Sequence, residues 1–268
     1  MRFAALHCHS WYSLLDGTMA PEQVAEAAAA SGMPAAALTD RDTLAGAVRF
    51  YRRARELGVH AVIGAEVSLA GGGSLVLLVE NRQGYRNLCR LLTEAALRGA
   101  GAEEEDTAAA PLRVAAAAAA SAPGACGGEA RSRARAFAGK AAAPERSETG
   151  RAPGSGSPRR LNAAGADRDQ LARYGEGLIC LAGARSPVGR ALARNLPAEG
   201  ELAWLQEIYG RNLALEINPH HEDDLRLARL LVELARRRRV PLAAAVDTHY
   251  REPREWLKYD ILQSMRTL

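Results

Sequence analysis

Residues 21–67, PEQVAEAAAASGMPAAALTDRDTLAGAVRFYRRARELGVHAVIGAEV, run through helix and strand patterns twice with short connections. PEQVAEAAAASG predicts a helix with Pro21 in its first turn and Gly32 near its C-cap. AAALTD predicts a strand. LAGAVRFYRRARELG repeats the helix, with an apolar face at Val48, Tyr51 and Leu57 and a closing Gly58, and VHAVIGAEV predicts the next strand. This order of elements makes a largely parallel sheet covered by helices.

The pattern extends in both directions. FAALHC at 3–8 and SLVLLVE at 74–80 read as strands, and QGYRNLCRLLTEAALRG as a helix. Gly71–Gly73 mark a turn with no phosphate-loop context. Near residue 101 the periodicity stops, and an acidic run, an alanine tract and an Arg, Gly, Ser and Pro-rich stretch follow. Alternation resumes at LARYGEGLICLAGA and continues through SPVGRALARNL, ELAWLQEIYG, NLALEINP, DLRLARLLVELARRRRV and PLAAAVDTHY, with KYDILQSMRTL as a closing helix. The expectation is one α/β domain over 1–268, with a disordered or weakly helical low-complexity insertion at about 101–163.

Composition sets bounds on this reading. The chain has 268 residues, 48% of them apolar but only 5% aromatic, so alanine inflates the apparent core. There is no apolar run long enough to span a membrane and no secretory leader pattern, so a cytoplasmic protein is expected. Cys8, Cys89, Cys126 and Cys180 are scattered with no CxxC pair, which argues against a disulfide framework or a thiolate zinc knuckle. The net charge of +4 is mild, and much of the excess lies in residues 131–160. Arg236–Arg239 close an amphipathic helix, where cations complement the helix dipole.

The chemistry-bearing residues His7, His9, Asp40, Asp42, Glu66, Asp247 and His249 fall at or just beyond strand C-terminal ends, the edge on which α/β folds build active sites. In LHCHSWYSLLDG, His7 and His9 flank one residue, so on an extended strand both imidazoles leave on the same side. An HxH pair alone is more often a surface accident or a hydrogen-bonded pair than a ligand set. With the acid of GAEV at 66 and DTH at 247–249 on the same edge, it becomes a candidate centre for Zn, Mn or Fe. Such an ion polarises a phosphate oxygen and lowers the pKa of bound water, the requirements of phosphoester hydrolysis. His60, His220 and His221 fit solvated strand-edge or loop positions, with a metal or phosphate role open for His220.

Taken in order, LHCHSWYSLLDG, the stretch 21–67, QGYRNLCRLL, GLICLAG and VDTHY resemble a PHP (polymerase and histidinol phosphatase) domain of the bacterial DNA polymerase III alpha or error-prone polymerase type. The resemblance implies a distorted (β/α)7 barrel with up to three metals. It places His7, His9, Glu66 and Asp247 as the first metal set, all present, and Asp16 and His249 in a third site. It also implies losses: Arg41 stands where a histidine is expected between Asp40 and Asp42, Ser74 stands for a histidine, and Ala184 for a cysteine or histidine. Arg41 then replaces a lost cation, holds Asp16 or Asp42, or binds phosphate. The implied function is a structural PHP domain in DNA replication or repair synthesis, holding one ion at most. Its partners would be a polymerase core, other replisome subunits or DNA. The alternative is a stand-alone metal-dependent phosphoesterase acting on nucleotides, DNA 3′ ends or a small ester such as histidinol phosphate.

Overall fold

A computed structural model describes residues 3–107, 165–219 and 222–266. Most of the low-complexity stretch, and His220 and His221, lie outside the described residues.

Helices and strands alternate along most of the chain. In chain order they are β1 (His7–Cys8), α1 (Pro21–Ala30), β2 (Ala35–Leu38), α2 (Ala47–Glu56), β3 (His60–Ser68), β4 (Ser74–Val79) and α3 (Arg82–Thr107). After the gap come α4 (Arg168–Tyr174), β5 (Leu178–Ala182), α5 (Pro187–Ala193), α6 (Glu199–Tyr209), β6 (Leu213–Ile217), α7 (Glu222–Arg238), β7 (Leu242–Ala244), β8 (Asp247–Thr248) and α8 (Trp256–Arg266). The exceptions to alternation are β3–β4, α3–α4, α5–α6 and β7–β8. The helix α3 continues through the acidic run to Thr107, consistent with the high helix propensity of its Ala and Glu residues.

Strands β2 to β7 form one sheet in sequence order, and β1 pairs in parallel with β8. A parallel bridge from Ala5 to Ala36 sets β1 beside β2. The α/β barrel architecture is thus present as a curled, half-barrel sheet, parallel except for β4, which runs antiparallel to both β3 and β5. The Gly71–Gly73 turn explains that reversal: it joins β3 to β4 as a hairpin, with Gly72 and Gly73 at positive φ. No helix among the described residues is long and apolar enough to cross a membrane.

One expectation needs correction. The buried face of α2 is Ala47, Phe50 and Ala54, whereas Val48 is 65% and Tyr51 49% exposed, and Leu57 also faces solvent. Small alanines one and two turns apart let Phe50 reach the layer formed with Val24 and Leu38, so side-chain fit outranks hydrophobicity in choosing the face.

The sheet brings distant residues into register at one edge. His7 lies directly opposite Asp247 in the β1–β8 pair, and Arg41 forms a parallel bridge with Glu66. Between β1 and α1 the chain folds back so that Trp11 N donates to Met19 O. That fold needs glycine at 17, where a Cβ would sit 2.0 Å from the carbonyl oxygen of Ser10.

Candidate metal centre

The imidazoles of His7, His9 and His249 are buried, and each is tied outward through Nδ1. His7 Nδ1 lies 2.8 Å from Glu216 Oε1. The carboxylate only accepts, so His7 donates and the proton of its neutral form is on Nδ1. His9 Nδ1 lies 2.9 Å from Ser13 Oγ. That hydroxyl gives its one proton to Asp40 Oδ1 at 2.7 Å and accepts from Arg41 N at 3.0 Å, so toward His9 it accepts and His9 Nδ1 donates. His249 Nδ1 donates to the backbone oxygen of Asp16 at 3.0 Å.

All three Nε2 atoms therefore point inward with lone pairs in the neutral state. They converge on Asp247 Oδ1, at 3.7 Å from His7, 3.2 Å from His9 and 3.1 Å from His249. His7 Nε2 and His9 Nε2 face each other at 3.2 Å, and Glu66 Oε2 is 3.6 Å from His9 Nε2. The rings of His9 and His249 stack with centroids 4.8 Å apart.

Lone pairs and carboxylate oxygens this close repel unless a cation or protons lie between them. Asp247 Oδ1 and Glu66 Oε2 are both buried without a hydrogen bond of proper geometry, although Arg41 Nη2 approaches Glu66 Oε2 to 2.8 Å as an ion pair. Without an ion, a proton on His7 supplies part of that charge. Burial would lower the pKa of His7, but its bond to Glu216 and the charges of Glu216, Asp247 and Glu66 outweigh burial and raise it to about 9. Burial likewise pushes Glu66 up, but Arg41, His9, His7 and Arg185 overcome it and hold its carboxyl at about 2. Asp247 is held far below the usual carboxylate range: burial opposes ionisation, and the close imidazoles of His249, His9 and His7 more than reverse it.

The donor set fits a divalent ion. His7, His9 and Glu66 place one ligand atom each within 4.8 Å of one another, and so do His9, Asp247 and His249. Imidazole and carboxylate together suit Zn, Mn or Fe, and the outward bonds of the histidines fix ring orientation as ligand histidines require. Cys8, between the two histidines, points to the opposite side of the strand, and burial pushes its thiol up to about 12, so it stays neutral.

Other candidate residues are engaged differently. Arg41 Nη2 bridges Asp16 Oδ2 at 2.9 Å and Glu66 Oε2 at 2.8 Å. Ser74 Oγ donates to Glu66 Oε1 at 2.6 Å, and Ala184 lines the cleft with no ligating atom. Asp40 accepts from Ser10 N, Ser10 Oγ and Ser13 Oγ and so sets His9 from behind. Asp42 accepts from the backbone and hydroxyl of Ser68. Asp16 also accepts from Gln263 Nε2 on α8 at 3.1 Å, and Tyr259 of the same helix packs on His249.

Sequence reasoning missed Glu216, Arg185, Ser13 and Gln263. Glu216 is the instructive case: one acid in the apolar strand LALEI, only 3% exposed, has to have a partner. It reaches His7 because residue 183 is glycine, where a Cβ would lie 2.5 Å from Glu216 Oε2. Replacing Glu216 with alanine is expected to weaken binding of a divalent ion by about 10–100-fold, the usual cost of removing a carboxylate behind a ligand histidine. Competition with a calibrated chelator measures it, and unchanged affinity would show that Glu216 has no part in holding the ligand.

Fold and site define a class: a curled α/β half-barrel whose strand edge carries a buried cluster of histidines and carboxylates suited to a divalent metal. Residues 5–124 match the PHP domain family. The chain is 33% identical, over its whole length, to 21% of an error-prone DNA polymerase of Symbiobacterium thermophilum. It is 26% identical, over 99% of its length, to 20% of the DNA polymerase III subunit alpha of Borreliella burgdorferi. It thus spans about a fifth of these curated relatives. A solved structure assigned as a metal-dependent phosphoesterase of Bifidobacterium adolescentis shares the fold, with a TM-score of 0.50, 16% identity, and coverage of 94% of this chain and 90% of that one.

Proposed function

We propose that the chain is the PHP domain of a bacterial DNA polymerase III alpha-type protein acting in DNA replication or repair synthesis. Its role in this reading is structural, and one divalent ion binds at His7, His9, Glu66 and Asp247. The domain occupies 1–268 with an insertion at about 101–163, works in the cytoplasm, and supports a polymerase core or other replisome subunits.

The observation that carries this reading is Arg41, whose guanidinium lies between Asp16 and Glu66. Hydrolysis by paired metals depends on two cations clamping the attacking and leaving oxygens. A fixed guanidinium supplies charge between those carboxylates but offers no open coordination position and activates no water. Ser74 and Ala184, in place of ligating side chains, point the same way. His7 and His9 at β1, Glu66 of β3 and Asp247 of β8 would hold the ion, which would supply Lewis acidity when bound. The residues themselves hold the edge together: Glu216 and Ser13 fix the two rings, and Arg41 neutralises the buried acids.

A second reading, a metal-dependent phosphoesterase, is favoured by the three inward Nε2 atoms around Asp247. The full chain, loaded with Mn2+ and then with Zn2+, is to be incubated with single-stranded DNA bearing free 3′ ends and with phosphomonoesters including histidinol phosphate. No turnover above the protein-free rate is expected while the ion stays bound. Turnover that disappears on His9→Ala substitution overturns the structural role and establishes the hydrolase.

A further inference from the structure

Arg185 is a second guanidinium at the centre, and none of the motifs that carry the family resemblance includes it. It follows Ala184 on the turn between β5 and α5, and that turn is pinned. Ser74 N donates to the Arg185 carbonyl at 3.0 Å, Ser186 N donates to Gly183 O, and Ser186 Oγ caps α5 by accepting from Gly189 N. From there Arg185 Nη1 lies 3.3 Å from Glu66 Oε1, and Nη2 lies 3.7 Å from Asp247 Oδ2. These are the outer oxygens of the two carboxylates whose other oxygens face the imidazoles. The side chain lines a cavity of about 150 Å³ together with His7, Glu216 and Asn218.

Charge balance gives the position meaning. Four carboxylates, Asp16, Glu66, Glu216 and Asp247, touch the imidazoles or guanidiniums of the centre. With neutral histidines, Arg41, Arg185 and one divalent ion neutralise them. A second divalent ion would leave positive charge buried without a counterion. It would also have to take the oxygens that Arg185 already holds.

We infer that Arg185 occupies, between Glu66 and Asp247, the place of a second cation, and so limits the centre to one divalent ion. The inference deepens the proposal above and rests on its reading that the centre binds an ion at all.

The test is Mn2+ stoichiometry by equilibrium dialysis with elemental analysis, up to millimolar free Mn2+. The full chain is compared with Arg185→Ala, Arg185→Lys and the His7→Ala/Arg185→Ala pair, each checked for folding by circular dichroism. One equivalent in the parent and in Arg185→Lys, rising to two in Arg185→Ala, is the expected result. In the double variant the gained ion should survive loss of the first, since it is held by carboxylates. One equivalent in parent and Arg185→Ala alike overturns the role of Arg185 while the one-ion reading stands. No ion in any form overturns both, and two ions in the parent overturn the inference directly. A gain of one ion in Arg185→Ala from a parent that binds none supports Arg185 as the cation and sinks the one-ion reading instead.

Discussion

Stripping the bound ion with a chelator is expected to lower the thermal unfolding midpoint by about 5–10 °C, and the His7→Ala/Asp247→Ala double variant should show no such drop. A ligand that binds only the folded state adds about 2.7 kcal/mol when present at a hundred times its dissociation constant. In a chain of this size each kcal/mol moves the midpoint by roughly 2–4 °C. The ion has this leverage because its ligands come from opposite ends of the chain: His7 and Asp247 stand in register on β1 and β8, and Glu66 comes from β3. Unfolding by heat with and without chelator, at matched protein concentration, measures the effect. Equal midpoints in the parent would remove the ion from any structural role.

The same comparison carries a pH signature. His7 without metal titrates near 9, above its ordinary value of 6.5, so protonation favours the folded metal-free form. That contribution is fully present below about 6.5 and is lost as pH rises through about 9. Metal binding needs the deprotonated ring and is favoured over the same range. The gap between loaded and stripped midpoints should therefore widen from pH 6.5 to pH 9, and a gap that narrows would contradict the assigned proton position.

Much of this centre was legible in the sequence because strand periodicity is a local property. The HxH spacing at 7–9 fixes two rings on one side of a strand, and the alternation over 21–67 carries Glu66 to the edge where β1 ends. Asp247 and His249 obey the same rule applied to the last strand. What stayed hidden depends on register between strands that are far apart in the chain. Nothing local to LALEI says that Glu216 faces His7, and nothing local to LAGAR says that the guanidinium after Ala184 turns back toward Glu66. The α2 face was misread for a related reason: Ala47 and Ala54 carry little hydrophobic weight in a pattern, yet their small size is what admits Phe50. Arg41 was visible as a departure from a motif, but which carboxylates it joins is a fact of the folded edge.

That junction yields the other large effect. Arg41→Ala is expected to destabilise the metal-free protein by on the order of 3–5 kcal/mol, the cost of breaking a buried ion pair and leaving its partners charged. This corresponds to roughly 6–20 °C in the unfolding midpoint. Glu66 is fully buried and Asp16 nearly so, with Arg41 Nη2 within 2.9 Å of both, so neither acid can recover its hydration when the guanidinium is removed. Arg41→His separates lost charge from lost packing. Its imidazole would join Asp16 and His249 as a third ligating side chain, so this variant should be as unstable as Arg41→Ala in chelator but regain most of the loss in Mn2+, with additional bound ion. Arg41→Ala, with one ligand fewer, should recover much less. If Arg41→Ala unfolds at the parent midpoint in chelator, the acids do not depend on the guanidinium. If Mn2+ restores both variants equally, the added imidazole is not acting as a ligand. Instability in both variants, with metal rescue chiefly in the histidine form, is the behaviour expected of an arginine that stands where a cation would otherwise have to bind.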